Sequence, residues 1–127
     1  MMKLAVLKET EEGENRVALI PDSIKRLSQK GFAILVETGA GNAAGYSDQE
    51  YEKAGATMVS TAQDLAQQAD CVVKVRPPSL EEAEMLTNDS TLIAIIQSTM
   101  RPDLVSKLVA KQITSFGLDI IPRTSLA

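Results

Sequence analysis

Cys71-Val72-Val73-Lys74-Val75-Arg76-Pro77-Pro78-Ser79-Leu80-Glu81-Glu82 is the stretch that decides the fold. Its first five residues form a continuous apolar run interrupted by one lysine. The run is too short for a helix, and it does not alternate as a half-exposed strand would, so it reads as a strand covered on both faces of a parallel sheet. Pro77-Pro78 breaks it. Ser79 with Glu82 three residues later fits a capping box, which starts a helix. A buried strand passing through a short turn into a helix is half of a βαβ unit.

The same alternation extends in both directions from this point. Leu4 to Leu7 and Phe32 to Val36 read as strands, with a helix between them that opens at Pro21-Asp22 and stops at Gly31. Asp22 is the expected cap of that helix, and Ile24 and Leu27 share its apolar face. Ser47-Asp48-Gln49-Glu50 fits a second capping box, for a helix ending at Gly55, followed by a brief strand over Ala56 to Val59. A helix begins at Thr61, a strand covers Thr91 to Ile96, and a helix near Pro102 carries the stripe Leu104, Val105, Leu108, Val109. A last strand spans Ile113 to Leu118, and Asp119 to Ala127 shows no clear element. The pattern predicts one α/β domain over residues 1–127, with a doubly wound, mostly parallel sheet and helices on both faces. No closing helix follows the last strand, which gives the chain the look of a piece of something longer.

Composition narrows the function. Thirteen basic against seventeen acidic residues give a net charge of -4, which disfavours nucleic acid as a partner because phosphate neutralisation needs a basic face. One cysteine rules out an internal disulfide and a cysteine-rich zinc site. The absence of histidine removes the commonest metal ligand and general base, so no metal site is expected and no Ser-His-Asp triad can be assembled within the chain. No apolar run approaches the length of a membrane span, and Met1 to Val6 is too short for a signal peptide. The expectation is a soluble, reduced, cytoplasmic domain.

Gly39-Ala40-Gly41-Asn42-Ala43-Ala44-Gly45 follows a strand and imitates a dinucleotide fingerprint. It is one residue too long, its glycines do not open the helix that starts at Ser47, and no acidic residue ends a second strand at the distance ribose recognition needs. It reads as a structural surface loop. Three other groups fall near predicted strand ends, where open parallel sheets bind ligands. Lys8-Glu9 with Glu14-Asn15-Arg16 is either a crevice loop whose Arg16 clamps a carboxylate, or a solvated loop holding Arg16 against Glu9 or Glu14. Lys74 either points into the same crevice as Lys8 and Arg16, or snorkels to water at the sheet edge. Gln97-Ser98-Thr99 either caps the next helix or faces a ligand.

Taken together, Lys8-Glu9 with Glu14-Asn15-Arg16-Val17-Ala18-Leu19-Ile20-Pro21, Val36-Glu37-Thr38-Gly39-Ala40-Gly41, Tyr46-Ser47-Asp48 with Tyr51, Ala54-Gly55-Ala56 and Asp70 with Val73-Lys74-Val75 and Pro77-Pro78 resemble a known family. It is the N-terminal domain shared by alanine dehydrogenase and the alpha subunit of proton-translocating NAD(P) transhydrogenase; saccharopine dehydrogenases carry a weaker version. The resemblance implies the first of two α/β domains flanking a cleft, with the fingerprint fold and most NAD(H) contacts in the second. It also implies a homodimer peripheral to the inner membrane, partnered by membrane and NADP-binding subunits.

Two places separate the branches. Alanine dehydrogenases carry a catalytic histidine where this chain has Gln97, and hold the oxo acid with residues matched here to Lys74 and Arg16. Transhydrogenase alpha subunits lack the histidine, because hydride passes directly between two nicotinamides. Asp119-Ile120-Ile121-Pro122-Arg123-Thr124-Ser125 is similar to a transhydrogenase segment whose arginine, matched by Arg123, lies beside the nicotinamide; Leu126 departs from the usual arginine there. The resemblance thus implies an NAD(H)-binding transhydrogenase subunit, with Gln97 and Arg123 as cofactor-binding residues. Lys74 and Arg16 are catalytic only if the protein is an amino-acid oxidoreductase like alanine dehydrogenase. A non-enzymatic domain that binds a partner through its cleft face is the third alternative.

Overall fold

Every strand of the computed structural model, which describes residues 2–95 and 101–117, runs in the same direction. The elements follow in the order β1 (Lys3–Val6), α1 (Pro21–Gln29), β2 (Ala33–Glu37), a 3₁₀ turn (Asn42–Ala44), α2 (Asp48–Lys53), β3 (Thr57–Val59), α3 (Ala62–Gln68), β4 (Cys71–Lys74), α4 (Leu80–Met85), β5 (Thr91–Ala94), α5 (Pro102–Ala110) and β6 (Thr114–Gly117). The sheet order is β3-β2-β1-β4-β5-β6. The chain therefore winds outward from β1 in one direction, crosses back, and winds outward from β4 in the other. That is the doubly wound order, and its reversal lies between β1 and β4.

Strand parity sorts the side chains. Leu4, Val6, Cys71 and Val73 pack with Ile24 of α1 and Tyr51 of α2. Ala5, Leu7, Val72 and Leu92 pack with Leu65 of α3, Ala83 of α4 and Leu104 and Leu108 of α5. Burial on both faces explains the unbroken apolar runs. A fully buried leucine such as Leu65 or Leu92 stabilises the fold by about 1.5–3 kcal/mol.

The helix starts follow the sequence closely. Both capping boxes form, Ser47 with Glu50 and Ser79 with Glu82, and Thr61 caps α3 through the Asp64 amide. Asp22 differs from its expected role. Ile20 occupies the cap position without a side-chain bond and Pro21 is the first helical residue, so Asp22 lies in the first turn. There its charge still complements the helix dipole. Gly31, at φ +97°, ends the helix in the left-handed region.

The glycine run is structural. The Gly39 amide donates to Asp48 Oδ1 at 2.9 Å, which ties the loop to the start of α2. Gly41 lies against the buried Tyr51 ring, and a Cβ there would sit 2.5 Å from a ring carbon. The Tyr51 hydroxyl in turn donates to the Leu19 carbonyl oxygen at 2.8 Å, and burial pushes its pKa up to about 12. The run thus anchors the segment leading into α1. Gly41→Ala should destabilise the domain by about 1–3 kcal/mol, the usual cost of overpacking, as read by urea denaturation. An unchanged midpoint would show that Tyr51 yields without cost.

Candidate functional site

At the reversal point, the chain leaving β1 runs beside the chain leaving β4. The β4 register pairs Val6 with Val73, so Lys74 is the first β4 residue beyond β1's paired end. Its parity matches that of Val72, which turns its side chain toward the face covered by α4. The result is a lysine with 1% exposure. Its ammonium lies 3.3 Å from Glu9 Oε1 and 3.5 Å from Glu82 Oε2. Lys74 does not snorkel to water, because α4 closes over it. It is paired on both sides instead, as a buried charge must be.

Glu9 does more than neutralise Lys74. Its carboxylate accepts from the Val75 amide at 2.9 Å and the Arg76 amide at 3.1 Å. Those two amides lie just past the end of β4, and the Glu9 side chain accepts from them there. Glu82 is engaged twice, by Lys74 and by the Ser79 amide that closes its capping box.

A second carboxylate sits beside the first. The Glu14 side chain is 3% exposed. It accepts from the Arg16 amide at 3.0 Å, Arg16 Nε at 2.8 Å, Arg16 Nη2 at 2.9 Å and Arg76 Nε at 2.8 Å. The hydrogen bonds from Arg16, seconded by Arg76, outweigh desolvation and hold the Glu14 carboxyl down to about 2. The Arg16 guanidinium is correspondingly pushed up. Arg16 is thus held against Glu14, one of the two partners anticipated for it, but the loop is no mere solvated run, because Glu14 is buried within it.

These groups border a cavity of about 370 Å³ lined by Glu9, Lys74, Arg76, Ser79, Glu82 and Arg101, among others. The cavity opens at the carboxyl end of the strands, at the reversal point, where such sheets place ligands. Lys74 therefore borders a crevice, as one of its two expectations had it, but without Lys8 beside it. The Lys8 amide donates to Glu37 Oε1 at 2.8 Å, and its Nζ lies 3.8 Å from where a Gly39 Cβ would sit. Lys8 stands on the β2 side. Arg16 reaches the cavity only through Glu14 and Arg76. Gln97 and Arg123 lie outside the described residues. Arg76 and Arg101 are lining cations that the sequence alone did not single out, and Arg76 is the one tied into the carboxylate network. Its signal was available, since a residue two positions after Lys74 shares its parity but stands beyond the strand end.

The model for "Alanine dehydrogenase/PNT, N-terminal domain" matches residues 5–127. The chain belongs to this family. It is 40% identical over 126 residues to the NAD(P) transhydrogenase subunit alpha of Cereibacter sphaeroides, a match that covers 99% of this chain and 24% of that protein. It is 34% identical over 126 residues to the NAD(P) transhydrogenase subunit alpha of Haemophilus influenzae, again covering 99% of this chain and 24% of that protein. Among solved structures, the transhydrogenase of Sinorhizobium meliloti superposes with a TM-score of 0.89 at 35% identity, over 98% of this chain and 37% of that one. An L-alanine dehydrogenase superposes at 0.85 with 33% identity, over 91% and 32%. The chain therefore spans between about a quarter and two-fifths of the length of these relatives. Members of this family are parts of NAD(P)-linked oxidoreductases, and no helix among the described residues is long and apolar enough to cross a membrane.

Two outcomes follow from the charges. Lys74→Ala leaves Glu9 and Glu82 facing each other without their cation, so it should cost about 3–5 kcal/mol in urea denaturation, well above a surface lysine control. Glu14 is depressed in the folded state, so the stability it contributes is complete above about 4.5 and is lost as pH falls toward about 2. Over that window, melting temperature should fall less steeply with acid in Glu14→Gln than in the wild type. Parallel slopes would show that Glu14 is not so depressed.

Proposed function

We propose that this chain is the first, cleft-forming domain of the NAD(H)-binding alpha subunit of a proton-translocating transhydrogenase. The parent would exchange hydride reversibly between NAD(H) and NADP(H), with proton movement coupled in membrane subunits. The observation that carries this reading is the state of Lys74. An oxo-acid oxidoreductase needs a cation free to meet the substrate carbonyl and an acid to move a proton. Lys74 is buried between two carboxylates, and Gln97 stands where alanine dehydrogenases, by the resemblance, carry their catalytic histidine. Direct hydride exchange between two nicotinamides requires neither group.

The chain's own residues do not fit the dinucleotide's pyrophosphate. Although the strand order is that of a dinucleotide fold, the first βα connection spans residues 7–20 with a single glycine, in place of a tight glycine turn onto a helix N-terminus. The glycine run sits one unit later, and its Gly39 amide is taken by Asp48 of α2. On this reading NAD(H) is held mainly by a second domain of the same subunit, and this domain supplies one wall of the cleft. Arg123 and Gln97 are the proposed cofactor-side residues, by resemblance. The partners would be that second domain, a second copy of the subunit, and the NADP-binding and membrane subunits, with this domain cytoplasmic and peripheral to the inner membrane through those partners.

The 127-residue chain alone should not quench NADH fluorescence saturably in the micromolar range. A micromolar constant would overturn the assignment of pyrophosphate binding to another domain. In the subunit carrying this domain, mixed with its NADP-binding partner, NADPH should reduce an NAD analogue. NADH oxidation sustained by a 2-oxo acid and ammonium, with no partner present, would establish the alanine-dehydrogenase-like alternative instead.

A further inference from the structure

Two arginines of this site share one carboxylate, and they do not share it equally. Arg16 commits its backbone amide, Nε and Nη2 to Glu14, a two-pronged grip reinforced from the main chain. Arg76 gives Glu14 its Nε alone, and among the described residues its guanidinium has one other ion-pair partner, Glu11, at 3.7 Å. Arg76 lines the cavity; Arg16 does not. The chain of contact therefore runs from Arg16 through Glu14 and Arg76 to the cavity. Glu9 fixes the other end of Arg76 by accepting from its amide.

We propose that Glu14 is a positioning residue, braced by Arg16, that aims the Arg76 guanidinium into the crevice as the cation offered to an oxygen acceptor there. In this chain Arg16 then acts through Glu14 and not by touching the crevice's occupant. The physics favours such a device. A long arginine loses considerable rotamer freedom when it is ordered, and a buried carboxylate holding its Nε meets that cost before any ligand arrives. Glu14 is suited to the task because it stays ionised throughout the physiological range. An arginine also keeps its charge at any working pH, so it donates hydrogen bonds without exchanging protons. That suits a site where hydride moves and no substrate proton does.

The activity arm of the test rests on the transhydrogenase reading; the chemical arm does not. In the alpha subunit assembled with its partners, Glu14→Gln should lower hydride-transfer kcat about tenfold while KM for NADH stays within about twofold. Glu14→Asp should recover part of the loss. In an Arg76→Ala background, Glu14→Gln should cost less than about twofold more, because Glu14 acts through the missing residue. Multiplicative losses, or full activity in Glu14→Gln, would overturn the proposal. In the 127-residue chain, phenylglyoxal with peptide mass spectrometry should show Arg76 modified several-fold faster in Glu14→Gln, and also faster in Arg16→Ala, at a temperature where circular dichroism shows each variant folded. Unchanged Arg76 reactivity in both would overturn the positioning role. Wild-type assemblies without transhydrogenation would refute the functional reading, and the reactivity arm would then decide the positioning role by itself.

Discussion

A lysine buried with two carboxylates organises this domain. Lys74 occupies a strand position whose parity faces α4, and its side chain is almost wholly withdrawn from water. The chain answers by bringing Glu9 from the end of β1 and Glu82 from the first turn of α4 to the same ammonium. Isolated, such a charge would be untenable in the interior; paired and hydrogen-bonded, it fixes three segments at one point. The loop after β1, the end of β4 and the start of α4 are positioned together, and these are the segments that form the cavity wall.

The adjoining network extends the same logic outward. Glu9 holds the peptide of Arg76, Glu14 holds its side chain, and Arg16 holds Glu14. The polar loop over residues 7–20, which on composition alone would be solvated, is pinned from both ends. Glu14 locks it to the β4 side, and the Tyr51 hydroxyl locks Leu19 to the α2 side. Gly41 leaves the room that the Tyr51 ring requires. A motif that resembles a nucleotide cradle thus serves to hold the far end of the loop over residues 7–20.

The likeness to both transhydrogenase and alanine dehydrogenase shows one scaffold placed in two kinds of oxidoreductase. The scaffold brings strand ends and a cation-bearing loop to the reversal point, and the chemistry depends on which cations remain free and whether an acid stands beside them. In this chain the buried lysine is engaged, and the more exposed cation where β4 meets the cavity is an arginine.

The sequence by itself determined the order and type of the elements. Apolar run length, the Ser-x-x-Glu boxes at Ser47 and Ser79, the Thr61 cap and the proline breaks are local signals, and local signals survive in one dimension. It also determined that Gly39 to Gly45 is no fingerprint, since that follows from spacing. The cap of α1 is not Asp22, because Asp22 and Pro21 compete for the same boundary and proline's fixed φ takes the first helical position. Only the tertiary structure decided which cation at the exit of β4 stays available to the cavity. Lys74 and Arg76 are two residues apart and share parity, and the sequence shows that Arg76 stands beyond the strand but not which of the two a helix covers. Burial distinguishes them, and burial depended on α4 covering one and leaving the other partly open. Lys8 and Arg16 likewise parted company because β2 and β4 flank β1 on opposite sides, an arrangement set by the strand order and carried by no single residue.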